Sequence, residues 1–382
     1  IVPVTEINCK IVFLTGCVVF IVGTLLILFV PDTTGLFMGR LLQGIATGLC
    51  WPGIQAAVMM EFSKDQRPIV MGVLLGVGAG LGMALGPIIG SFLPDVGHWQ
   101  QLQWLNLMLV AISALLILRF FPKHHLKNKI QHTINIRSSL LSIVGVCAWL
   151  YALNCLKMNY ENWHLGLALF IAILCLALFV ANEYYSKIPL LFKSEWLRPY
   201  FIASVFCRFG IMYAYLTITY MYLLYMQHVM HYSTLVSSLY LLPMMVGTLI
   251  FASLSGLIRR YISSVKLMAI GTLLVALGIL WLTFNRPMTV DITMLIIPQC
   301  LIGLGLGLAF PSSNLLTLET LSKHSYGRGA SILYFFELMA AIISVRLSLL
   351  ISQISISHSL HQWLILHGQS LSFTHSHAYE VA

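Results

Sequence analysis

The most constraining feature of this sequence is a succession of apolar blocks, each about 18 to 25 residues long, separated by short polar stretches. A helix rising ~1.5 Å per residue needs about 20 such residues to cross roughly 30 Å of hydrocarbon. Eleven blocks occur: Cys9 to Val30, Gly35 to Met59, Ile69 to Leu93, Gln101 to Phe121, Ser139 to Cys155, Gly166 to Tyr184, Tyr200 to Tyr225, Thr234 to Leu257, Val265 to Thr283, Thr293 to Leu316 and Ala330 to Ser352. A transmembrane β-strand would alternate apolar and polar over about ten residues. These blocks do not alternate, so the sequence predicts an all-α integral membrane protein with about eleven spans. Only 9% of the 382 residues are Asp, Glu, Lys or Arg, and 59% are hydrophobic. A water-soluble surface and intrinsic disorder both need more charge than that.

The few charges orient the chain, because cytoplasmic loops collect Lys and Arg. Alternate threading puts Lys10, Lys64, Arg67, Arg119, Lys123, Lys127, Lys129, Arg137, Lys187, Lys193, Arg198, Arg259, Arg260, Lys266, Lys323 and Arg328 on one face. Only Lys157 and Arg286 reach the other. One miscounted span would invert every later loop and destroy this bias. The loop over 122–138 is therefore expected in the cytoplasm, the tail over 353–382 outside, and the net charge of +9 reads as topology and lipid contact, with no nucleic-acid partner. Three segments are expected: an N-terminal helical bundle over 1–121, two linking helices over 122–198, and a C-terminal bundle with its tail over 199–382.

Eight cysteines form no Cys-x-x-Cys pair and fall almost entirely inside apolar blocks. They read as small buried hydrophobes. His358, His361, His367, His375 and His377 crowd the tail, where the only acid is Glu380. That composition favours a solvated loop over a metal centre. Neither a cofactor motif nor a polar catalytic constellation occurs, so no cofactor, metal or enzymatic activity is expected.

Ionisable groups inside a bilayer cost at least ~2.5 kcal/mol unless they find a partner, an aqueous cavity or the interface. Four qualify: Arg40, Arg208, Glu337 and Arg346. Glu337 and Arg346 are nine residues apart, on opposite faces of one helix at 100° per residue, and cannot pair. Arg208 and Glu337 both lie about 12 to 14 Å from the cytoplasmic boundary by helical rise. Equal depth makes them a candidate ion pair or proton path; the alternative has Arg208 snorkelling to the interface and Glu337 protonated. Tyr213, Tyr215, Tyr220, Tyr222 and Tyr225 read as an aromatic belt at the outer interface, or else as the lining of a cation pocket.

Glycine forms two rows in the third block, Gly78, Gly82, Gly86 and Gly90 beside Gly72, Gly76 and Gly80, with Pro87 predicting a kink. Such rows let a second helix approach to backbone distance. Gly303, Gly305 and Gly307 form another cluster before Pro311.

These residues carry a resemblance. Gly39-Arg40-Leu41-Leu42-Gln43-Gly44, followed by Gly82-Met83-Ala84-Leu85-Gly86-Pro87-Ile88-Ile89-Gly90, resembles the fourth-span arginine motif and the fifth-span antiporter motif of the major facilitator superfamily. Trp99 with Asn106, Leu241-Leu242-Pro243 and Gly303 to Pro311 follow in the order of later spans. With two extra helices between the halves, the chain is similar to fourteen-span drug:proton antiporters, and its blocks correspond to spans three through thirteen. Three departures stand out: Gln100 after Trp99, Ser91 for a glycine of the antiporter motif, and Glu337 near a usual arginine.

The resemblance implies proton-coupled efflux of multiple drugs or amphipathic compounds across a cell membrane, such as a bacterial inner membrane. The substrate would be a small molecule and the co-transported ion a proton; no accessory subunit can be named. Arg40 would relay protons, with Gln43 and Gly44 as packing partners and Asn106 completing the sixth-span motif. Gly78, Gly82, Gly86, Pro87 and Gly90 would form the bend that seals the pathway. The alternative for Arg40 is snorkelling outward, about 9 Å from the outer end of its span. A truncated, non-transporting remnant is the alternative to a transporter, since spans one, two and fourteen have no counterpart here.

Overall fold

A computed structural model describes residues 9–30, 32–92, 99–120, 136–158, 162–186, 198–284, 292–321 and 325–366. Among the described residues there is no strand, and the helices follow the predicted blocks. They are α1 (Cys9–Phe29), α2 (Thr33–Glu61), α3 (Arg67–Val73), a π-helical segment (Leu74–Ala79), α4 (Gly80–Phe92), α5 (Trp99–Phe120), α6 (Ile136–Met158) and α7 (Asn162–Tyr185). Then come α8 (Pro199–Leu224), a second π segment (Tyr225–Val229), α9 (Thr234–Leu239), α10 (Leu242–Ile258), α11 (Ser264–Phe284), α12 (Ile292–Glu319) and α13 (Tyr326–Leu366). Nine helical rods among the described residues are long and apolar enough to cross a membrane. The two other rods are α2, where Arg40, Gln43 and Gln55 dilute the hydropathy, and the rod built from α3, the first π segment and α4. Eleven rods thus answer to the eleven blocks.

Start and stop signals are local. Asp32 caps α2 by accepting from the Gly35 amide at 2.6 Å, and Ser233 caps α9 through the Val236 amide at 3.4 Å. Proline opens α3, α8 and α10, where a missing amide proton costs nothing. The last rod departs from expectation. Instead of ending near Ser352, α13 runs 41 residues to Leu366, about 60 Å at ~1.5 Å per residue and twice the hydrocarbon thickness. The first part of the predicted tail loop is therefore helix. The tail histidines lie outside the residues whose side chains are described.

Glycine sets how closely the rods approach. Gly23 on α1 and Gly39 on α2 meet backbone to backbone, and a Cβ on Gly39 would strike Ile27. Gly303 and Gly307, one turn apart, face α10 at Met244 and Ala252, while Gly305 on the opposite side faces Gly271 and Val275 of α11. This wedges α12 between two neighbours and makes it the most buried rod.

The third block corrects the expected interface. Gly72, Gly76 and Gly80 press on Ala252, Ser253 and Leu249 of α10, and Gly256 presses back on Pro68 and Ile69. The row of Gly78, Gly82, Gly86 and Gly90 is exposed, and no neighbouring element comes within 4 Å of a Cβ built on any of its members. The rod also carries an irregularity that its composition does not announce. The backbone of Pro87 stays within α4, and the rod is distorted at the π segment Leu74–Ala79, where the wider turn changes the register of residues beyond it.

The remaining contacts divide the rods. α1 packs on α2 and α5; α12 packs on α10, α11 and α8; α8 packs on α13; α6 and α7 pair chiefly with each other. Ser138 donates to Glu183 at 2.6 Å and accepts from Asn182 at 2.7 Å, bracing the α6–α7 hairpin. The N-terminal rods meet the C-terminal ones where α3 and α4 lie on α10 and where α2 lies on α13. Of the cysteines, Cys17, Cys155 and Cys175 are buried, but Cys147 and Cys300 are exposed on the outer surfaces of their helices, which corrects the expectation of general burial.

Contact at Gly72 leaves no room for a side chain, whereas Gly82 stands open. Gly72→Leu is expected to lower the thermal unfolding temperature of the detergent-solubilised protein by several degrees. Gly82→Ala should leave it unchanged or raise it, since alanine is about 1 kcal/mol better than glycine inside a helix. Equal losses in the two variants would contradict this assignment of faces.

Candidate functional site

Arg208 is the largest fully buried side chain among the described residues. It projects from α8, and Glu337 of α13, 5% exposed, comes to meet it. The guanidinium Nη2 lies 2.8 Å from Glu337 Oε2, and Nε donates to the same oxygen at 3.3 Å. Nη1 donates to the Phe310 carbonyl of α12 at 2.9 Å, and the guanidinium carbon sits 3.2 Å from the centroid of the Phe310 ring. One cation thus ties three helices by an ion pair, a carbonyl and an aromatic face. This settles the alternatives for Arg208: it does not snorkel, and equal depth on two helices did signal a contact.

The surroundings are polar and sealed. Ser204, one turn before Arg208, lies 2.5 Å from the Thr317 hydroxyl, and Ser313 donates to the Phe310 carbonyl at 3.0 Å. Asn314 is fully buried, with both amide atoms lacking a hydrogen-bond partner. Ser204, Arg208, Ser312, Ser313, Asn314, Thr317 and Glu337 therefore make a buried polar layer in an otherwise apolar bundle.

The same face of α13 reaches the N-terminal rods. Tyr334, three residues before Glu337, faces Thr47 and Cys50 of α2, and its ring lies 6.4 Å from that of Trp51. Trp51 Nε1 and Gln55 Oε1 are buried without partners on that side. A change in the charge of Glu337 is therefore placed to be felt where the two groups of rods touch.

Arg40 sits in a separate cluster and is exposed. It donates to Gln43 Oε1 at 3.2 Å; Gln43 Nε2 in turn donates to Thr24 of α1 at 3.0 Å and to Gln103 of α5 at 3.2 Å. Gln43 packs as expected, but Gly44 is exposed with nothing within 4 Å, and Gly39 makes the close approach instead. The α5 partner is Gln103, one turn from the predicted Asn106, which is half-buried. Arg346, on the opposite face of α13 from Glu337 as its spacing requires, donates to Asn154 of α6 at 3.2 Å. Gln103, Asn154 and Asn314 carry little sign of their role in the sequence. Their signal was an uncharged amide inside an apolar block, which is weaker than a charge.

The tyrosines correct a further expectation. Tyr215 and Tyr222 are buried in the main hydrophobic cluster, and Tyr213, Tyr220 and Tyr225 are half-buried. A belt at the interface would be exposed, so Tyr215 and Tyr222 face inward instead.

Several basic side chains among the described residues tie the ends of neighbouring rods together. Lys10 donates to the Leu118 carbonyl at 3.0 Å, Arg198 to that of Thr320, and Arg259 pairs with Glu319 at 2.5 Å. Arg67 donates to the Phe62 carbonyl at 3.0 Å and stacks over Tyr326 with its guanidinium 5.8 Å from the ring centroid, linking the start of α3 to that of α13.

Breaking a buried pair by removing one partner strands the other, at about 3 to 5 kcal/mol, whereas removing both can cost little. Arg208→Met and Glu337→Gln should each destabilise the protein, and the double variant should lose clearly less than the sum. Strictly additive losses in unfolding free energy would contradict the pairing.

The profile of the Major Facilitator Superfamily matches residues 4–345. The multidrug transporter protein MdtP of Bacillus subtilis is 26% identical over 337 residues, covering 86% of this chain and 60% of the relative. The multidrug resistance protein B homolog of Mycobacterium tuberculosis is 22% identical over 91% of this chain and 64% of its own length. The efflux pump roqT of Penicillium rubens is 24% identical over 93% of this chain and 67% of its own length. The chain thus spans about two thirds or less of the curated relatives it matches. Crystal structures of a POT family transporter, in complex with a thioalcohol-conjugated peptide and with 5-aminolevulinic acid, superpose with a TM-score of 0.58 at 15% and 16% identity, covering 91% of this chain and 77% of theirs. That likeness concerns the fold. The family match, the multi-pass helical architecture and the transporter-named relatives agree: this chain belongs to the Major Facilitator Superfamily, a family of membrane transporters rather than enzymes.

Proposed function

We propose that this chain performs proton-coupled export of small amphipathic molecules by alternating access, with Glu337 as the group that takes up and releases the proton. The observation that carries the reading is the buried ion pair of Glu337 with Arg208. With both groups charged, the pair is neutral and holds α8 to α13. A proton on Glu337 removes the Coulombic attraction and leaves Arg208 to the Phe310 carbonyl and ring. A ligand shifts such an equilibrium only through different affinities for its two states, and a proton meets that condition here. Tyr334 and Trp51 carry the change to α2, and glycine faces at α3 and α10 let backbones slide without interlocked side chains.

In this reading the rods within 1–121 and those within 199–382 are the two moving groups, and 122–198 links them. The face bearing Lys10, Arg198 and Arg259 is cytoplasmic by the distribution of basic residues. A cell-membrane location fits the relatives, and the two from Bacillus and Mycobacterium support a bacterial one. Efflux of multiple compounds is the activity named for those relatives, and it comes to this chain by their similarity. Arg40, exposed and anchored through Gln43, serves as a secondary relay at the outer end of α2.

In proteoliposomes with an imposed pH gradient, the wild-type protein should drive uphill movement of at least one of ethidium, tetraphenylphosphonium and 2-quinolinone. Glu337→Gln should abolish gradient-driven accumulation while keeping exchange of labelled for unlabelled substrate. Wild-type accumulation by Glu337→Gln, or failure to move any of the three compounds, would contradict the proposal.

A further inference from the structure

Two cysteines meet where α1 packs on α2. Cys17 of α1 is 3% exposed, Cys50 of α2 is half-buried, and both are free thiols. Their side chains lie within hydrogen-bond reach of each other. The Cys50 thiol also donates to the Phe13 carbonyl at 3.7 Å. Phe13 is one turn before Cys17, so the sulfur of α2 sits against the very turn of α1 that ends in its partner. By helical rise Cys17 stands about 12 Å from the start of α1 and Cys50 about 16 Å from the end of α2. In antiparallel neighbours those ends share a face, so the two sulfurs lie at one depth, well inside the apolar rods.

Small residues make the meeting possible. A Cβ on Gly16 would strike Cys50 Sγ and crowd the Ala46 carbonyl, and Gly23 meets Gly39 further along the same seam. A disulfide needs Cα atoms about 4.4 to 6.8 Å apart, whereas helices separated by larger side chains keep their axes about 8 to 10 Å apart. The glycine seam supplies the closer approach. Joining the sulfurs also asks for no cavity. Two atoms in non-bonded contact draw together to about 2.05 Å while two hydrogens leave, so the product takes up less room than the dithiol.

A single buried cysteine behaves as a small hydrophobe. Two adjacent thiols differ, because a sulfenic acid formed on one condenses with the other. Depth selects the oxidant. Apolar hydroperoxides, such as those that peroxidised acyl chains carry, partition to the level at which these sulfurs lie.

We propose that Cys17 and Cys50 form a dithiol site that organic hydroperoxides within the bilayer oxidise to a disulfide, stapling α1 to α2. The half-buried Cys50 sulfur attacks the O–O bond, its proton goes to the departing alkoxide, and a sulfenic acid and an alcohol result. The Cys17 sulfur then bonds to the Cys50 sulfur, the S–O bond breaks, and the hydroxide leaves as water with the Cys17 proton. Two electrons pass from the pair of sulfurs to the hydroperoxide, and a small thiol returns them by exchange. Tyr334 of α13 neighbours Cys50, so the staple forms beside the contact between the two groups of rods. Its formation requires neither transport nor proton coupling.

Treatment of the purified wild-type protein in lipid nanodiscs with cumene hydroperoxide tests the site. Free thiols are capped with N-ethylmaleimide, and proteolysis with mass spectrometry reads the linkage. The expected product is a peptide joining Cys17 to Cys50 that tris(2-carboxyethyl)phosphine splits. A disulfide stabilises chiefly by restricting the unfolded chain, so the thermal unfolding temperature should rise by several degrees on oxidation and return on reduction. In Cys17→Ser, dimedone should trap a sulfenic acid on Cys50; in Cys50→Ser, it should label Cys17 less. Cys17 and Cys50 both capped after treatment, a link formed preferentially to another cysteine, an unfolding temperature that the link leaves unchanged, or stronger dimedone labelling of Cys17 than of Cys50 would overturn the proposal. The linked peptide is read in the wild-type protein, so a serine variant that fails to fold leaves the test in force. Absent proton-driven transport beside an intact link would contradict the proposed function and leave the dithiol site standing.

Discussion

A charge that enters a bilayer without water must be answered by other protein groups, and in this chain Arg208 is answered three times. Its guanidinium holds the Glu337 carboxylate, the Phe310 carbonyl and the Phe310 ring, which fixes α8, α12 and α13 to one another at one depth. Buried ion pairs are weak evidence for stability, since apolar residues of equal volume often do as well. Their distinguishing property is that one proton undoes them. That makes the pair a better candidate for a switch than for a clamp, and the polar layer of Ser204, Ser313, Asn314 and Thr317 around it gives a displaced charge somewhere to go.

Around this fixed point the architecture relies on small residues. Lipid is as apolar as a leucine side chain, so helix association in a membrane comes from close packing and hydrogen bonds. Gly303, Gly305 and Gly307 wedge α12 between α10 and α11, while Gly72, Gly76 and Gly80 bring α3 and α4 onto α10. The contacts between the two groups of rods are therefore smooth where they are extensive. Where they are specific, as at Trp51 and Tyr334, they adjoin the ion pair.

Hydropathy made the rods legible because the hydrocarbon thickness dictates the length of each block, and a pairing of equal depths across two helices followed from counting residues. Azimuth was harder to read. Two glycine rows looked equivalent, and only the positions of neighbouring rods show that Gly72, Gly76 and Gly80 are covered. The π segment at Leu74–Ala79 carries no hydropathy signal, because inserting a wider turn changes register without changing composition. Tyrosines near a predicted interface have the same sequence signature whether they face lipid or the bundle, so Tyr215 and Tyr222 read as a belt. Buried amides such as Gln103, Gln299 and Asn314 escape notice for a related reason: their cost appears only when their partners, or the lack of them, are known.

The account turns on whether Glu337 changes protonation within the bundle. Infrared difference spectra of the protein in lipid, recorded as the pH is lowered, read the carbonyl stretch of a protonated carboxylic acid directly. The account predicts a band that grows on acidification in the wild-type protein and is absent from Glu337→Gln. A band equally strong in wild type and Glu337→Gln would contradict it.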